Sequence, residues 1–254
     1  MGDKDIIPAL ERAISVINAI ADGSGGVSVT DLSSSLRIPK TTCYRIVRTF
    51  LDADWVRQRP DGAGYELSFG LLSLFKPFET HRLLLDAIRP ALTRLVADVG
   101  LSAKLSVRAG DDAITIHRVD SNQPFTLSGR TGARFHLAYG SSGAALLSAL
   151  DTTVVERIIA SAPPAVWARQ TPEDVHQRIR DCRKRGWCAD WGSYQPHIHT
   201  VSAVIHHQHR AWAALTLIGM PHELNASNCF QIARQLRACV ERCERALPGT
   251  QELP

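Results

Sequence analysis

No stretch of the 254-residue sequence stays apolar over the ~18 residues that a membrane-spanning helix requires, so no membrane partner is expected. The opening residues, MGDKDIIPALERAI, lack the basic region and apolar core of a secretory signal. A cytoplasmic location is therefore the expectation. In that compartment Cys43, Cys182, Cys188, Cys229, Cys239 and Cys243 are expected to stay reduced and to pack as small hydrophobes. The chain shows no internal repeat and no low-complexity segment. It also shows no Ser/His/Asp order, phosphate loop or paired-carboxylate motif, so nothing points to an enzyme or to a cofactor. Strong net charge is missing too: 29 Lys and Arg against 25 Asp and Glu leave +4. The molecule is no polycation.

What is present is a composition able to bury a core, 44% hydrophobic and 21% charged, in a length comfortable for two domains. The charge is unevenly placed. Residues 37–59 carry Arg37, Lys40, Arg45, Arg48, Arg57 and Arg59 against Asp52 and Asp54. A basic patch on a near-neutral chain suggests a defined anionic partner.

The patch sits in a recognisable succession of elements. Pro8 suits a helix start, Leu10, Ala13, Ile14, Ile17 and Ile20 recur at helical spacing, and Gly23–Gly26 ends the pattern. Ser28 and Asp31 resemble a capping box before a short helix over 30–36. After a turn at Arg37–Ile38, Pro39 is expected at the first position of a third helix reaching Asp52. Its Cys43, Ile46, Val47, Phe50 and Leu51 form one apolar stripe, with Thr41, Thr42, Arg45, Arg48 and Thr49 opposite. Residues 55–59 and 65–67 flank Pro60-Asp-Gly-Ala-Gly as a hairpin. Three helices and a hairpin in about sixty residues describe a winged helix-turn-helix. In that geometry Lys40, Thr41, Thr42, Tyr44, Arg45, Arg48, Arg57 and Arg59 face the major groove or flanking phosphates, with Arg45 the candidate reader of a guanine edge.

Leu67–Phe78 continues as a helical pattern until Pro77, and a further helix is expected over 80–98, with Pro90 in its first turn and a break near Asp86. From Gly100 the texture changes to short strands, expected at 102–107, 113–119, 125–127, 201–205 and 212–218, with helices at 144–150, 154–160, 173–185 and 228–247. Such mixing predicts an α+β domain with an antiparallel sheet. Gly140-Ser-Ser-Gly143 reads as a helix start whose free N–H groups and serine hydroxyls suit a carboxylate.

Four segments, "LSSSLRIPKTTCYRIVRTFLDADWV", "GYELSFGLLSL", "GRTGARFHLAYGSSGAALLSAL" and "RGWCADWGSYQPHIHTVSAVIHHQHRAWAALTLIGMP", resemble the IclR-type bacterial transcriptional regulators in order and spacing over almost the whole chain. The resemblance implies a winged-helix domain at 1–67, a linker helix at 68–85 and a GAF-like effector-binding domain at 86–254. It implies double-stranded operator DNA and a small organic acid as partners, and a homodimer or homotetramer. It places the effector at Gly140, Ser141, Ser142 and Gly143, with Asp190, Thr200 and Thr216 as further pocket residues. The sequence departs from the family pattern at Ala144, at His197, at Ile218 and at Pro77.

Two rival readings remain. His197-Ile-His199 would put two imidazoles on one strand face, the start of a metal-responsive regulator, although the remaining ligands have no recognisable spacing. His206-His-Gln-His209 reads as an exposed turn, and Cys239 and Cys243 as packing residues. The other rival is an enzyme or storage module with a vestigial helix-turn-helix.

Overall fold

The structure, a computed structural model, describes residues 7–23, 25–123 and 130–248, excepting the side chains of 75–80. Residues up to Glu79 form one compact unit and those from Thr80 a second.

In the first unit α1 (Pro8–Asp22), α2 (Val29–Leu36) and α3 (Lys40–Asp52) enclose Val16, Ile20, Leu32, Cys43, Val47 and Phe50. The capping box forms as expected: Ser28 Oγ accepts from the Asp31 N–H at 3.1 Å, and Asp31 accepts from the Ser28 N–H at 3.2 Å. Arg37, left-handed at φ 55°, closes α2 and redirects the chain. Pro39 stands one position earlier than expected, at the N-cap of α3. The apolar stripe of α3 faces the core, and Phe50 stacks on Trp55 at 5.7 Å. Strands β1 (Val56–Gln58) and β2 (Tyr65–Leu67) pair antiparallel to form the wing, and Val27 bridges to Tyr65.

Phe69–Phe78 is a 3-10 helix rather than a continued α-helix. The next helix, α4 (Glu79–Val99), runs unbroken through Pro90, which corrects the break expected near Asp86. Pro90 costs the Asp86 carbonyl its helical donor. Leu84, Ile88, Leu92, Leu95 and Val96 nonetheless bury one side of the helix, and tertiary packing of such a stripe outweighs a local propensity cost.

The second unit is built on β3 (Ser102–Ala109), β4 (Asp112–Val119) and β5 (Arg134–His136). Helices α5 (Gly140–Ser148), α6 (Thr152–Ala160) and α7 (Pro172–Arg185) follow, then β6 (Cys188–Trp191), β7 (His199–His207), β8 (Arg210–Gly219) and α8 (Cys229–Ala246). The six strands lie in the order β5-β4-β3-β8-β7-β6, every neighbour antiparallel. The expected strand at 125–127 lies outside the described residues, whereas β5 and β6 escaped the sequence reading. Period-two alternation splits the sheet. Ala103, Leu105, Val201, Ala203, Ile205, Ala213, Leu215 and Leu217 pack under α4 and α8. Lys104, Thr200, Ser202 and Thr216 belong to the alternate register positions, on the side of α5. All six cysteines are buried free thiols.

Candidate functional site

Two regions carry chemistry. The first is the outer face of α3. Lys40, Thr41, Arg45, Arg48 and Thr49 are exposed, Thr42 is half-buried, and Tyr44 is 50% exposed despite its aromatic ring. Tyr44 shares a hydrogen bond with Arg48, which, with Asp52 close by, favours the charged guanidinium. Arg45 and Thr42 also line a groove against Ala9 and Arg12 of α1. The wing is arranged otherwise. Arg57 pairs with Glu66 Oε1 at 2.8 Å; Arg59 pairs with Asp61 at 2.7 Å and with Glu66 Oε2 at 3.1 Å. The Arg59 guanidinium holds the Asp61 carboxyl down at about 2. The wing arginines therefore add little net positive charge, and the cationic surface concentrates on α3. Pairs this exposed are worth ~0–1 kcal/mol, which a phosphate can outcompete.

The second region is a narrow cavity of about 30 Å³ at the start of α5, lined by Lys104, Phe135, Tyr139, Gly140, Ser141, Ser142, Asp190, Tyr194 and Thr200, with Gln195 and Ile198 from the β6–β7 connection. Gly140, at φ +62°, turns the chain into α5, a conformation that resists any residue with a Cβ. The helix begins without a side-chain cap, so the N–H groups of its first turn have no side-chain acceptor.

Five hydroxyls anchor this helix to the sheet. Ser141 bonds Thr200 at 2.6 Å and Ser202 at 2.7 Å; Thr216 bonds Ser142 and Ser202, each at 2.8 Å. Each hydroxyl owns one proton, and the chain Ser142–Thr216–Ser202–Ser141–Thr200 contains four bonds. When every hydroxyl donates in the direction of Thr200, the spare donor emerges at Thr200, the member lining the cavity.

Asp190, 2% exposed, accepts from Arg178 Nη1 at 3.0 Å and from the Ser193 N–H at 3.1 Å. Arg178 also donates to Gln170, whose amide donates to the Ala138 carbonyl at 2.8 Å. This buried pair is neutral overall, while Lys104 is not compensated. Its ammonium lies 4.4 Å from the Phe135 ring centroid and makes no ion pair among the described residues; burial pushes it down to about 8.

Gly140, Ser141, Ser142, Asp190 and Thr200, all singled out from the sequence, thus share one cavity. Thr216 lies one hydroxyl behind it. Gly143 does not line it: a Cβ there would stand 2.0 Å from the Leu137 carbonyl oxygen, so this glycine permits close packing of α5. Lys104 and Arg178 were missed. A lysine inside SAKLSVRA gives no sign of burial, and Arg178 lies twelve residues from its partner on another element.

The imidazole pair is corrected. His197 precedes β7 in a left-handed turn at φ 63°, whereas His199 opens the strand, bonds the Leu224 carbonyl at 2.7 Å and packs edge-on to Trp191. Among the described residues no group of three or more His, Cys, Asp or Glu side chains is placed to hold a metal. The tight turn of the β7–β8 hairpin is made by Gln208 and His209, both left-handed.

A helix-turn-helix unit with a basic outer face, followed by an antiparallel α+β unit enclosing a small polar cavity, defines a DNA-binding protein with an effector-binding unit. Comparison with known proteins agrees. Residues 9–60 match the IclR helix-turn-helix domain and residues 80–245 the bacterial transcriptional regulator IclR C-terminal domain. The chain belongs to the IclR family of bacterial transcriptional regulators. It is similar to the transcriptional regulator RhmR of Escherichia coli K12, 27% identical over 252 residues, covering 95% of this chain and 94% of that one. It also resembles the acetate operon repressor of Salmonella typhimurium LT2, 23% identical over 250 residues, covering 96% and 91%. Among solved structures, an IclR homologue from Microbacterium hydrocarbonoxydans complexed with 4-hydroxybenzoate superposes with a TM-score of 0.78 at 19% identity, over 94% of this chain and 98% of that one. The Thermotoga maritima IclR superposes with a TM-score of 0.71 at 18% identity, over 94% of this chain and 98% of that one. The relatives are regulators rather than enzymes, and so is this chain. No helix among the described residues is long and apolar enough to cross a membrane.

Proposed function

We propose that this regulator binds an operator through the outer face of α3 and that a small organic acid, held in the cavity at the start of α5, alters that binding. The exposed row Lys40, Thr41, Tyr44, Arg45 and Arg48 on a helix whose other side is buried carries the DNA reading. Arg45, which forms no ion pair among the described residues, reads a base edge; Lys40, Thr41, Thr42, Tyr44 and Arg48 hold phosphates, with Arg57 and Arg59 reaching the backbone after exchanging their carboxylates for it.

Gly140, Ser141, Ser142, Asp190 and Thr200 contact the effector, and Gly143 and Thr216 support them from behind. The 4-hydroxybenzoate complex of one structural relative favours an acid of this general kind. An effector acts only through different affinities for two arrangements of the protein. Operator half-sites are expected about one DNA turn apart (~34 Å), which requires a homodimer or a homotetramer. Ile7, Leu10 and Ile14, 57–60% exposed in one row on α1, and exposed Phe69 and Leu72 supply apolar surface for self-association. Residues 68–85 serve as the link between a DNA-binding part at 1–67 and an effector part at 86–254. The reading places the protein in the cytoplasm.

Footprinting on DNA beside its own gene tests the first half. Arg45→Ala is expected to weaken operator binding and to relax preference at one base pair by ~1–3 kcal/mol. Unchanged affinity and preference would remove Arg45 from the reader's role. Thermal-shift titration with carboxylic acids tests the second half, since a ligand at a hundred times its Kd stabilises by ~2.7 kcal/mol.

A further inference from the structure

We infer that Lys104 sets the charge of the effector: the cavity selects a compact monocarboxylate that pairs with the Lys104 ammonium and accepts from Thr200 and the first N–H groups of α5. This rests on the effector reading above and goes beyond it in naming the selecting residue and the ligand class.

Four observations converge. The first is charge balance. Arg178 and Asp190 neutralise each other at 3.0 Å, so the cavity's remaining charge is the single cation of Lys104. One anionic group compensates it; a second carboxylate would lie beside the buried Asp190 in a site with no further cation. The second is the position of the ammonium. It rests over the face of Phe135 at 4.4 Å, an interaction weak enough to be replaced by a carboxylate. The third is the convergence of donors. β3 brings Lys104 opposite Thr216 in the register with β8, beneath the uncapped start of α5, while the hydroxyl chain ends at Thr200. Lys104, Thr200 and the first turn of α5 all line the same small space. The fourth is size. A cavity of about 30 Å³ has room for roughly two waters, so the acid is small or pushes aside Tyr194, the half-exposed wall at 43%. The rings of Phe135, Tyr139 and Tyr194 leave apolar walls for its body.

A half-buried cation with no ion-pair partner is costly, and an apolar residue at this position would avoid that cost. A ligand that supplies the missing charge offsets it.

The test uses the full-length protein and matched probes: acetate, pyruvate and 4-hydroxybenzoate, each against its neutral amide, together with succinate. Binding is measured by calorimetry on wild type, Lys104→Met, Lys104→Gln, Lys104→Arg and the cavity-filling Ile198→Trp, with folding verified by thermal unfolding. Wild type is expected to prefer at least one monocarboxylate over its amide by roughly thirtyfold or more and over succinate. Lys104→Met and Lys104→Gln should reduce the acid to the level of the amide, while Lys104→Arg keeps the preference. Two neutral variants guard against one that misfolds. If the neutral variants retain the preference while Ile198→Trp abolishes binding, the cavity reading stands and Lys104 is overturned as selector. If Ile198→Trp binds the acids as wild type does, or if no acid binds wild type, both readings fall.

Discussion

The two faces of the six-stranded sheet are made by the same alternation along the same strands, yet only one of them carries a buried polar row. Under α4 and α8 the inward residues are aliphatic: Leu105, Val201, Ile205, Leu215 and Leu217 are fully buried without one polar atom in their side chains. Under α5, Ala113, Val204 and Ala214 join a second aliphatic cluster, but beside them lie Lys104, Thr200, Ser202 and Thr216, satisfied by a hydroxyl chain or, for Lys104, left uncompensated. Burying apolar area stabilises with no requirement for partners, whereas a buried polar group contributes only ~0.5–1.5 kcal/mol once bonded and costs ~1–3 kcal/mol when it is not. Aliphatic packing therefore holds both faces, and the polar row on the α5 side is positioned between the two cores. The polar row can keep a destabilising cation because the aliphatic clusters on both sides of the sheet supply the surplus.

The largest effect that would break this contrast is on the apolar face. Leu215→Ala is expected to lower stability by about 2–5 kcal/mol in chemical denaturation, because the central strand cannot collapse around the void. A loss no larger than that of a polar-face substitution would erase the distinction between the faces.

Lys104→Met should do the opposite and stabilise the ligand-free protein by up to about 3 kcal/mol, with a pH signature. The folded-state value of about 8 lies below the ordinary 10.5, so between them the unfolded chain binds the extra proton and wild-type stability rises with pH. The penalty is fully present below pH 8 and is relieved as pH climbs toward 10.5. The charged neighbours from other elements are Asp190 and its partner Arg178, with Tyr139 and Tyr194 as phenols. Denaturant titrations at pH 7 and 9.5 should show wild type gaining on Lys104→Met at the higher value. Parallel curves would mean that Lys104 is solvated.

Much of the architecture was legible because periodicity reports burial directly. The α3 stripe, the β7–β8 alternation and the Ser28–Asp31 capping box each formed where residue spacing placed them. Elements that depend on distant partners were not legible. Four-residue β6 and three-residue β5 are strands only because β7 and β4 present edges to them. Pro90 stays helical because the sheet holds α4, and His197 is separated from His199 by backbone conformation rather than by spacing. At the site, the serines of α5 could be read as a helix start, but their hydroxyls point into the sheet. The half-buried place of Lys104 at the cavity follows from strand register between β4 and β8, which no local pattern encodes.

The smallest effect sharpens the comparison most, because it asks whether the polar face behaves as one connected unit. Thr216→Val keeps shape but removes the hydroxyl that bonds both Ser142 and Ser202. Ser202 retains Ser141, so the main cost is the stranded Ser142 hydroxyl, about 1 kcal/mol. Ser142→Ala alone should cost a similar amount by freeing Thr216 of one partner. If the bond joins them, the double variant destabilises by less than the two single losses together, with a coupling of about 0.5 kcal/mol or more. Additive losses would show that the hydroxyls sit near one another without forming a chain, and Thr200 would then lose its claim to the spare proton that a bound carboxylate is expected to accept.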